Sequence, residues 1–285
     1  MTLVVAWLRK NDSLYELVVA SDSRISGGES WDACPKVMAL PRPGTVMAMS
    51  GDAAEAYTFL LQAINTCNLL DGNLTGRTGL RYFAKKLRDA YADLRNHVSD
   101  LPFGQKKADT PKLDVAVFGW SWRDLRFEGY SFSYDPEGVL RMHNIPSLRR
   151  EAAYPLHLMG DAASDARRRI HQLMKVRELP RPMRGDPESS QVAHDAFLQW
   201  EPLEVIVEMA QDEEARTVGG TPQVIRIYQY GQAEAFVWRT DDADYFGGRP
   251  VQSPERFDRR IMRLQQGEVV TKFSDRSIYF GAEAS

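Results

Sequence analysis

At 285 residues the chain exceeds the commonest domain size of ~100–150, yet it fits one sheet-rich domain carrying extra material. A formal net charge of -3 provides no electrostatic motive for nucleic acid or an anionic membrane, and a hydrophobic content of 43% is that of a globular chain with an ample core. No uninterrupted apolar run spans a bilayer, and Arg9, Lys10 and Asn11 interrupt the first strand too early for a signal peptide, so the expected location is cytoplasmic.

In chain order, residues 2–9 and 14–21 are apolar, β-branched runs joined by the polar Lys10-Asn11-Asp12-Ser13 turn, which predicts a hairpin. Residues 37–40 and 45–50 form a second pair around Pro41, Pro43 and Gly44, and the poor polar alternation of all four runs suits sheets covered on both faces. Two helices follow. Ala53, Tyr57, Leu60, Leu61 and Ile64 set the apolar stripe expected of the first; Leu80, Phe83, Leu87, Ala90, Tyr91, Leu94 and Val98 set that of the second. After an exposed loop over 104–111, strands are expected at 113–120, 126–134 and 139–143, with Asp135-Pro136-Glu137-Gly138 as a turn.

A helix over about 162–176 carries Arg167-Arg168-Arg169, expected to be a solvated or subunit-facing surface. Residues 178–190, with Pro180, Pro182, Gly185 and Pro187, predict an irregular insertion, and a helix over about 191–215 is expected to break at Pro202. Strands 223–230 and 235–239 follow. Residues 241–285 are expected to form an extension that docks on the body or on a neighbouring subunit, with a short helix over 254–264 and strands at 269–273 and 277–280. A flap over the active site is the alternative for this extension. No internal repeat is expected.

Cys34 and Cys67 lie in apolar stretches without a CxxC partner, which predicts small buried side chains. The five histidines have no HExxH or tight His-x-His spacing, and GxGxxG and Walker loops are lacking, so no metal or organic cofactor is expected.

The chemistry is concentrated in the first fifty-odd residues. Thr2 directly follows Met1, and removal of Met1 would make it the N-terminus; its α-amine, titrating near ~7.7 to 8.0, can then take the proton of its own hydroxyl. A cation beside that amine lowers its pKa, a role that suits Lys36, and a carboxylate must hold the lysine, a role that suits Asp22. Gly51 lies where a strand ends and a helix begins, the place to aim a backbone N–H at an oxyanion. Each residue also has a plainer explanation: Asp22 as a strand-exit turn, Lys36 as a snorkelling side chain, Gly51 and Asp52 as a helix start.

The order Thr2, Ser21-Asp22-Ser23-Arg24, Lys36-Val37 and Ser50-Gly51-Asp52-Ala53 resembles the β-type subunits of the proteasome family, including the bacterial HslV peptidase and Anbu-type homologues. The likeness is specific over residues 2 to about 65 and weaker to about 240. It implies an α+β fold, the four-layer αββα sandwich of N-terminal-nucleophile hydrolases, over residues 1–240. It further implies amide-bond cleavage through an acyl-enzyme on Thr2, with Lys36 tuning the amine, Asp22 orienting Lys36, the Gly51 N–H as oxyanion donor and Met49 lining an apolar substrate pocket. Two departures stand out. Asp161, in Leu158-Met159-Gly160-Asp161-Ala162, occupies the place of a family serine, where it would bond the amine in the serine's stead; Ala215 and Val218 replace the polar positions of the family's Asp-x-x-Ser-Gly-Gly, whose glycines remain as Gly219 and Gly220.

The implied partners are a peptide or protein substrate and further copies of the chain in a homo-oligomer; an ATPase unfoldase, if one exists, is not named by the sequence. Two alternatives remain: a non-catalytic ring or scaffold subunit, and a small-amide acylase on the same architecture.

Overall fold

The computed structural model describes residues 2–11, 14–105, 109–148, 154–180, 196–212, 214, 216–229, 231–253, 255 and 260–272. It is a mixed α+β structure with several antiparallel sheets and, among the described residues, four α-helices. In chain order the strands are β1 (Val4–Asn11), β2 (Leu14–Ser21), β3 (Ile25–Ser26), β4 (Ser30–Trp31), β5 (Val37–Ala39) and β6 (Thr45–Gly51), then α1 (Ala53–Leu69) and α2 (Leu80–Leu94). There follow β7 (Leu113–Ser121), β8 (Arg126–Tyr134), β9 (Leu140–Asn144), β10 (Leu156–Met159), α3 (Ala163–Val176) and α4 (Glu201–Gln211). The chain continues through β11 (Gln223–Tyr228), β12 (Ala233–Ala235), β13 (Val237–Arg239), β14 (Asp244–Phe246), β15 (Arg249–Pro250), β16 (Ile261–Gln265) and β17 (Glu268–Lys272).

Two five-stranded antiparallel sheets position the site, one in the order β10-β1-β2-β11-β12 and the other β5-β6-β7-β8-β9. Successive side chains of a strand point to opposite faces, and both faces of these sheets are covered. On β1, Val5 and Trp7 join an apolar cluster with Ala166 and Ile170 of α3 and Leu203 and Ile206 of α4. Val4, Ala6 and Leu8 instead meet Val46 and Ala48 of β6 and Phe118 of β7 in a cluster shared by the two sheets. Met47, Val115 and Val117 face the other way, against Phe59 of α1 and Phe83 and Leu87 of α2.

The hairpin and strand boundaries of the first half match the expected runs closely, and the helix faces match in part: Leu60 of α1 and Leu80, Phe83, Leu87 and Tyr91 of α2 are buried as expected, and Tyr57, Ile64 and Leu94 pack against the same cluster. On α1 the buried stripe is Ala56, Phe59, Leu60, Ala63 and Cys67, and Leu61 is 60% exposed. The buried face is turned slightly from the expected one, and one aromatic and two small residues, Phe59, Ala63 and Cys67, set where it meets the sheet. On α2, Ala84 is buried in place of Ala90, and Val98 lies beyond the helix end and is exposed. Pro202 sits in the first turn of α4, where its missing N–H has no intrahelical acceptor to serve, and residues 196–200 before it are not helical. Residues 191–195 and the core of the expected insertion, 181–190, lie outside the described residues, as does strand 277–280. Of the arginine run, Arg167 and Arg168 are exposed, but Arg169 turns inward and binds Glu208 at 2.7 Å and Asp212 at 2.5 Å, joining α3 to α4.

The third five-stranded sheet, β15-β14-β13-β16-β17, has one parallel pair, β13 with β16. Its Trp238, Met262 and Val269 belong to the cluster beneath α3 and α4. Residues 261–264 are strand, not the helix expected there. The reason is the two-residue turn Gln266-Gly267, with φ of 53° and 82°, which pairs Gln265 with Glu268 as a tight hairpin. Among the described residues no helix is long and apolar enough to cross a membrane.

His157 of β10 stacks near Phe118 at 6.3 Å between the two sheets, and burial first, then Arg167, pushes its pKa down from about 6.5 to about 4. A group whose folded pKa is depressed stays neutral while the unfolded chain takes a proton, so stability is fully present above pH 6.5 and is lost as pH falls towards about 4. Urea midpoints measured across that window should fall steadily for the wild type and less steeply for His157→Leu; equal slopes would refute the assignment.

Candidate active site

The site forms where β1 begins and β2 ends. Val4 pairs with Ser21, and the Asp22 N–H donates to the Leu3 carbonyl at 3.4 Å, so Thr2 and Asp22 emerge side by side. Both are buried, Thr2 at 4% exposure and Asp22 at 0%. Oδ1 of Asp22 accepts the Leu3 N–H at 3.1 Å and Lys36 Nζ at 2.9 Å. Oδ2 accepts the N–H groups of Arg24 and Gly219, each at 3.1 Å. Four donors thus satisfy an ionised carboxylate that has no contact with water.

Lys36 reaches the same point from the segment before β5. Its N–H donates to Gln223 Oε1 at 2.9 Å, and Gln223 Nε2 donates to the Cys34 carbonyl at 2.7 Å. One amide side chain on β11 therefore ties the lysine-bearing segment to the sheet that carries Thr2. Burial lowers the Lys36 pKa, and the Asp22 charge and hydrogen bond oppose that fall.

Thr2, Lys36, Met49 and Gly51 line one cleft, together with Ile25, Ser50, Ala53 and Ala56. The cleft is small, about 20 Å³, room for about one water. Gly51 has φ of 94°, and a Cβ there would lie 2.1 Å from the Lys112 carbonyl oxygen, so only glycine fits. Asp52 caps the helix that follows, its Oδ1 accepting the Glu55 N–H at 3.0 Å, which places Gly51 at the positive end of the α1 dipole.

Asp161 is not among the residues lining the cleft; its Oδ1 accepts Nζ of Lys112. This ion pair with Lys112 is partly exposed. Val218 is buried in the apolar cluster with α3 and α4, and Ala215 lies outside the described residues. The neighbouring glycines have a separate function: a Cβ on Gly219 would lie 2.3 Å from the Arg24 guanidinium carbon, and one on Gly220 2.4 Å from the Asp32 carbonyl oxygen.

Gly160, just before Asp161, mirrors Gly51. Its φ is 96° and a Cβ would meet the Thr2 carbonyl oxygen at 2.0 Å. Gly-Asp-Ala-Ala occurs at both 51–54 and 160–163, each time between a strand and a helix, a short internal repeat that the sequence reading overlooked. Also overlooked were Gln223 and Asp114, whose spacing matches no simple motif, and a partner for Ser50. Ser50 Oγ lies 3.2 Å from Asp114 Oδ2, and burial raises the Asp114 pKa against the lowering pull of Ser50 and of the Gly160 N–H. Among the described residues no group of three or more His, Cys, Asp or Glu is gathered to hold a metal ion.

No protein-family model matches the chain, and no curated protein matches it significantly.

Removing one partner of a buried ion pair costs about 3–5 kcal/mol when the other charge is stranded. Asp22→Asn strands the Lys36 ammonium, whereas Lys36→Met leaves Asp22 with three backbone donors. Chemical denaturation should therefore show the larger loss for Asp22→Asn; a larger loss for Lys36→Met would contradict the geometry.

Proposed function

We propose that the chain is an N-terminal threonine hydrolase of the proteasome-like class, cleaving amide bonds through an acyl-enzyme on Thr2 once Met1 is removed. The observation that carries this reading is the single cleft shared by Thr2, Lys36, Met49 and Gly51, with Lys36 held by the buried Asp22. The layering supports a four-layer αββα sandwich: one helix pair packs on each outer sheet face and the two inner faces meet.

The chemistry runs as a two-step acyl transfer. The Thr2 Oγ attacks the substrate carbonyl carbon while the α-amine takes the hydroxyl proton, and the Gly51 N–H bonds the oxyanion. Collapse expels the amine half of the substrate, which receives that proton. Water, deprotonated by the same α-amine, then cleaves the ester, regenerating Thr2 and releasing the acid. Lys36 favours the free amine by its charge, and Met49 presents an apolar wall to the acyl side chain. The substrate is a peptide or protein, and the working form is a homo-oligomer with enclosed sites.

A second reading, a non-catalytic subunit of the same fold, is favoured by the burial of Val218 and by the pairing of Asp161 with Lys112, which leave the family's amine partners without counterparts at those positions. Covalent labelling separates the two. Intact mass should show loss of Met1 and, after incubation with a peptide epoxyketone or β-lactone, one adduct that Thr2→Ala abolishes. Lys36→Ala should slow turnover by about 10²–10⁴. Protein that is active with Met1 fully retained, or unlabelled by either probe, would defeat the threonine mechanism.

A further inference from the structure

The third sheet reaches the candidate site through a turn. β14 and β15 are joined by Gly247-Gly248, with φ of 60° and 88°, the left-handed geometry of a tight two-residue hairpin. The hairpin is itself firmly seated: Asp244 of β14 binds Arg239 of β13 at 2.6 and 2.8 Å, and Tyr245 packs against the cluster beneath α3 and α4. Its turn sets Gly248 against two groups at once. A Cβ on Gly248 would lie 2.6 Å from Ser23 Cβ and 3.0 Å from Gln223 Nε2, and the Gly248 carbonyl accepts Thr221 Oγ1 at 3.3 Å.

Both of those groups hold the buried ion pair in place. Ser23 follows Asp22 and is fully buried. Its N–H donates to the Gly219 carbonyl at 3.0 Å and its carbonyl accepts the Cys34 N–H at 3.0 Å. Its Oγ accepts the Thr221 N–H at 2.9 Å and donates to the Asp32 carbonyl at 2.6 Å. Ser23 thus ties the exit from β2 to the segment that leads to Lys36, and Gln223 bonds that same segment at Lys36 and Cys34. Gly248 is not among the residues lining the cleft, so the turn bears on the support behind Thr2 and not on the mouth of the site.

We propose that Gly248 is a positioning residue: seated on Ser23 and Gln223, it lets the β14–β15 turn keep Asp22 and Lys36 aligned behind Thr2; this role rests on the threonine-hydrolase reading. A methyl group at 248 must either lift the turn from Ser23 and Gln223 or push those two residues away from it, and a misplacement of about 1 Å at reacting groups costs about 10²-fold in rate. Gly247 is the internal contrast. It has the same left-handed requirement, but a Cβ there would meet nothing within 4 Å.

The test is the rate of covalent labelling by a peptide epoxyketone, resolved into probe affinity and maximal inactivation rate. Gly248→Ala should lower the maximal rate about 10²-fold with affinity unchanged. Gly247→Ala should stay close to the wild-type rate, which a general loss of hairpin stability would not allow. Should Gly248→Ala fail to fold by circular dichroism, Thr221→Val decides, since it removes the hydroxyl that holds the turn: a reduced maximal rate at unchanged affinity is expected, and a wild-type rate overturns the role. A labelled wild type with Gly248→Ala reacting equally fast, losing affinity alone, or slowed no more than Gly247→Ala overturns the Gly248 role by itself. An unlabelled wild type overturns the threonine-hydrolase reading and this role with it.

Discussion

The buried pair of Asp22 and Lys36 is the constraint around which the rest of the candidate site is arranged. Two charges removed from water are tolerated only when their attraction is joined by hydrogen bonds to every remaining acceptor. Asp22 meets that condition by drawing in the backbone of three separate segments, at Leu3, Arg24 and Gly219. The carboxylate thus gathers the start of β1, the exit from β2 and the loop before β11 around one point. A simpler strand exit would not require a loop nearly two hundred residues away to contribute an amide.

That arrangement explains why the glycines beside the site are as restrictive as its charged groups. Gly219 and Gly220 leave room for the Arg24 side chain and the Asp32 carbonyl, and so allow the Gly219 amide to reach Asp22. Arg24 in turn binds Asp32 with two hydrogen bonds, at 2.6 and 2.8 Å, which fixes the base of the short hairpin of β3 and β4 beside the cleft. Ile25 of that hairpin lines the cleft with Thr2.

Much of this was legible in the amino-acid order because the relevant signals are local. Apolar runs bounded by Pro41, Pro43 and Gly44 mark β5 and β6, and a lysine in an otherwise apolar stretch marks a buried partner. Other features were not legible because they depend on distant chain. How far the buried face of α1 is turned is settled by the sheet it meets, and the Gln223 clamp by a register between β2 and β11. Asp161 is another case: its place next to Gly160 is read directly from the residue order, whereas its ion pair with Lys112, on the segment entering β7, depends on distant chain. The hairpin at Gln266-Gly267 was missed for a different reason, since charged residues nearby suggested a helix while the left-handed turn at Gly267 called for strands.

The repeated Gly-Asp-Ala-Ala has a bearing on how relatives of this chain should be compared. At each copy a glycine backbone touches the main chain of the segment leading into a neighbouring strand, at Lys112 before β7 in one case and at Thr2 before β1 in the other, so no compensating side-chain change can relieve a substitution. The carboxylates that follow have no such restriction: Asp52 caps a helix, whereas Asp161 forms a surface ion pair. Chains that preserve both glycines therefore testify to a common architecture, while joint preservation of Asp22 and Lys36 testifies to the same buried ion pair. Divergence within such a lineage would separate these two signatures, and sorting homologues by one or the other would distinguish an inherited scaffold from an inherited buried charge pair.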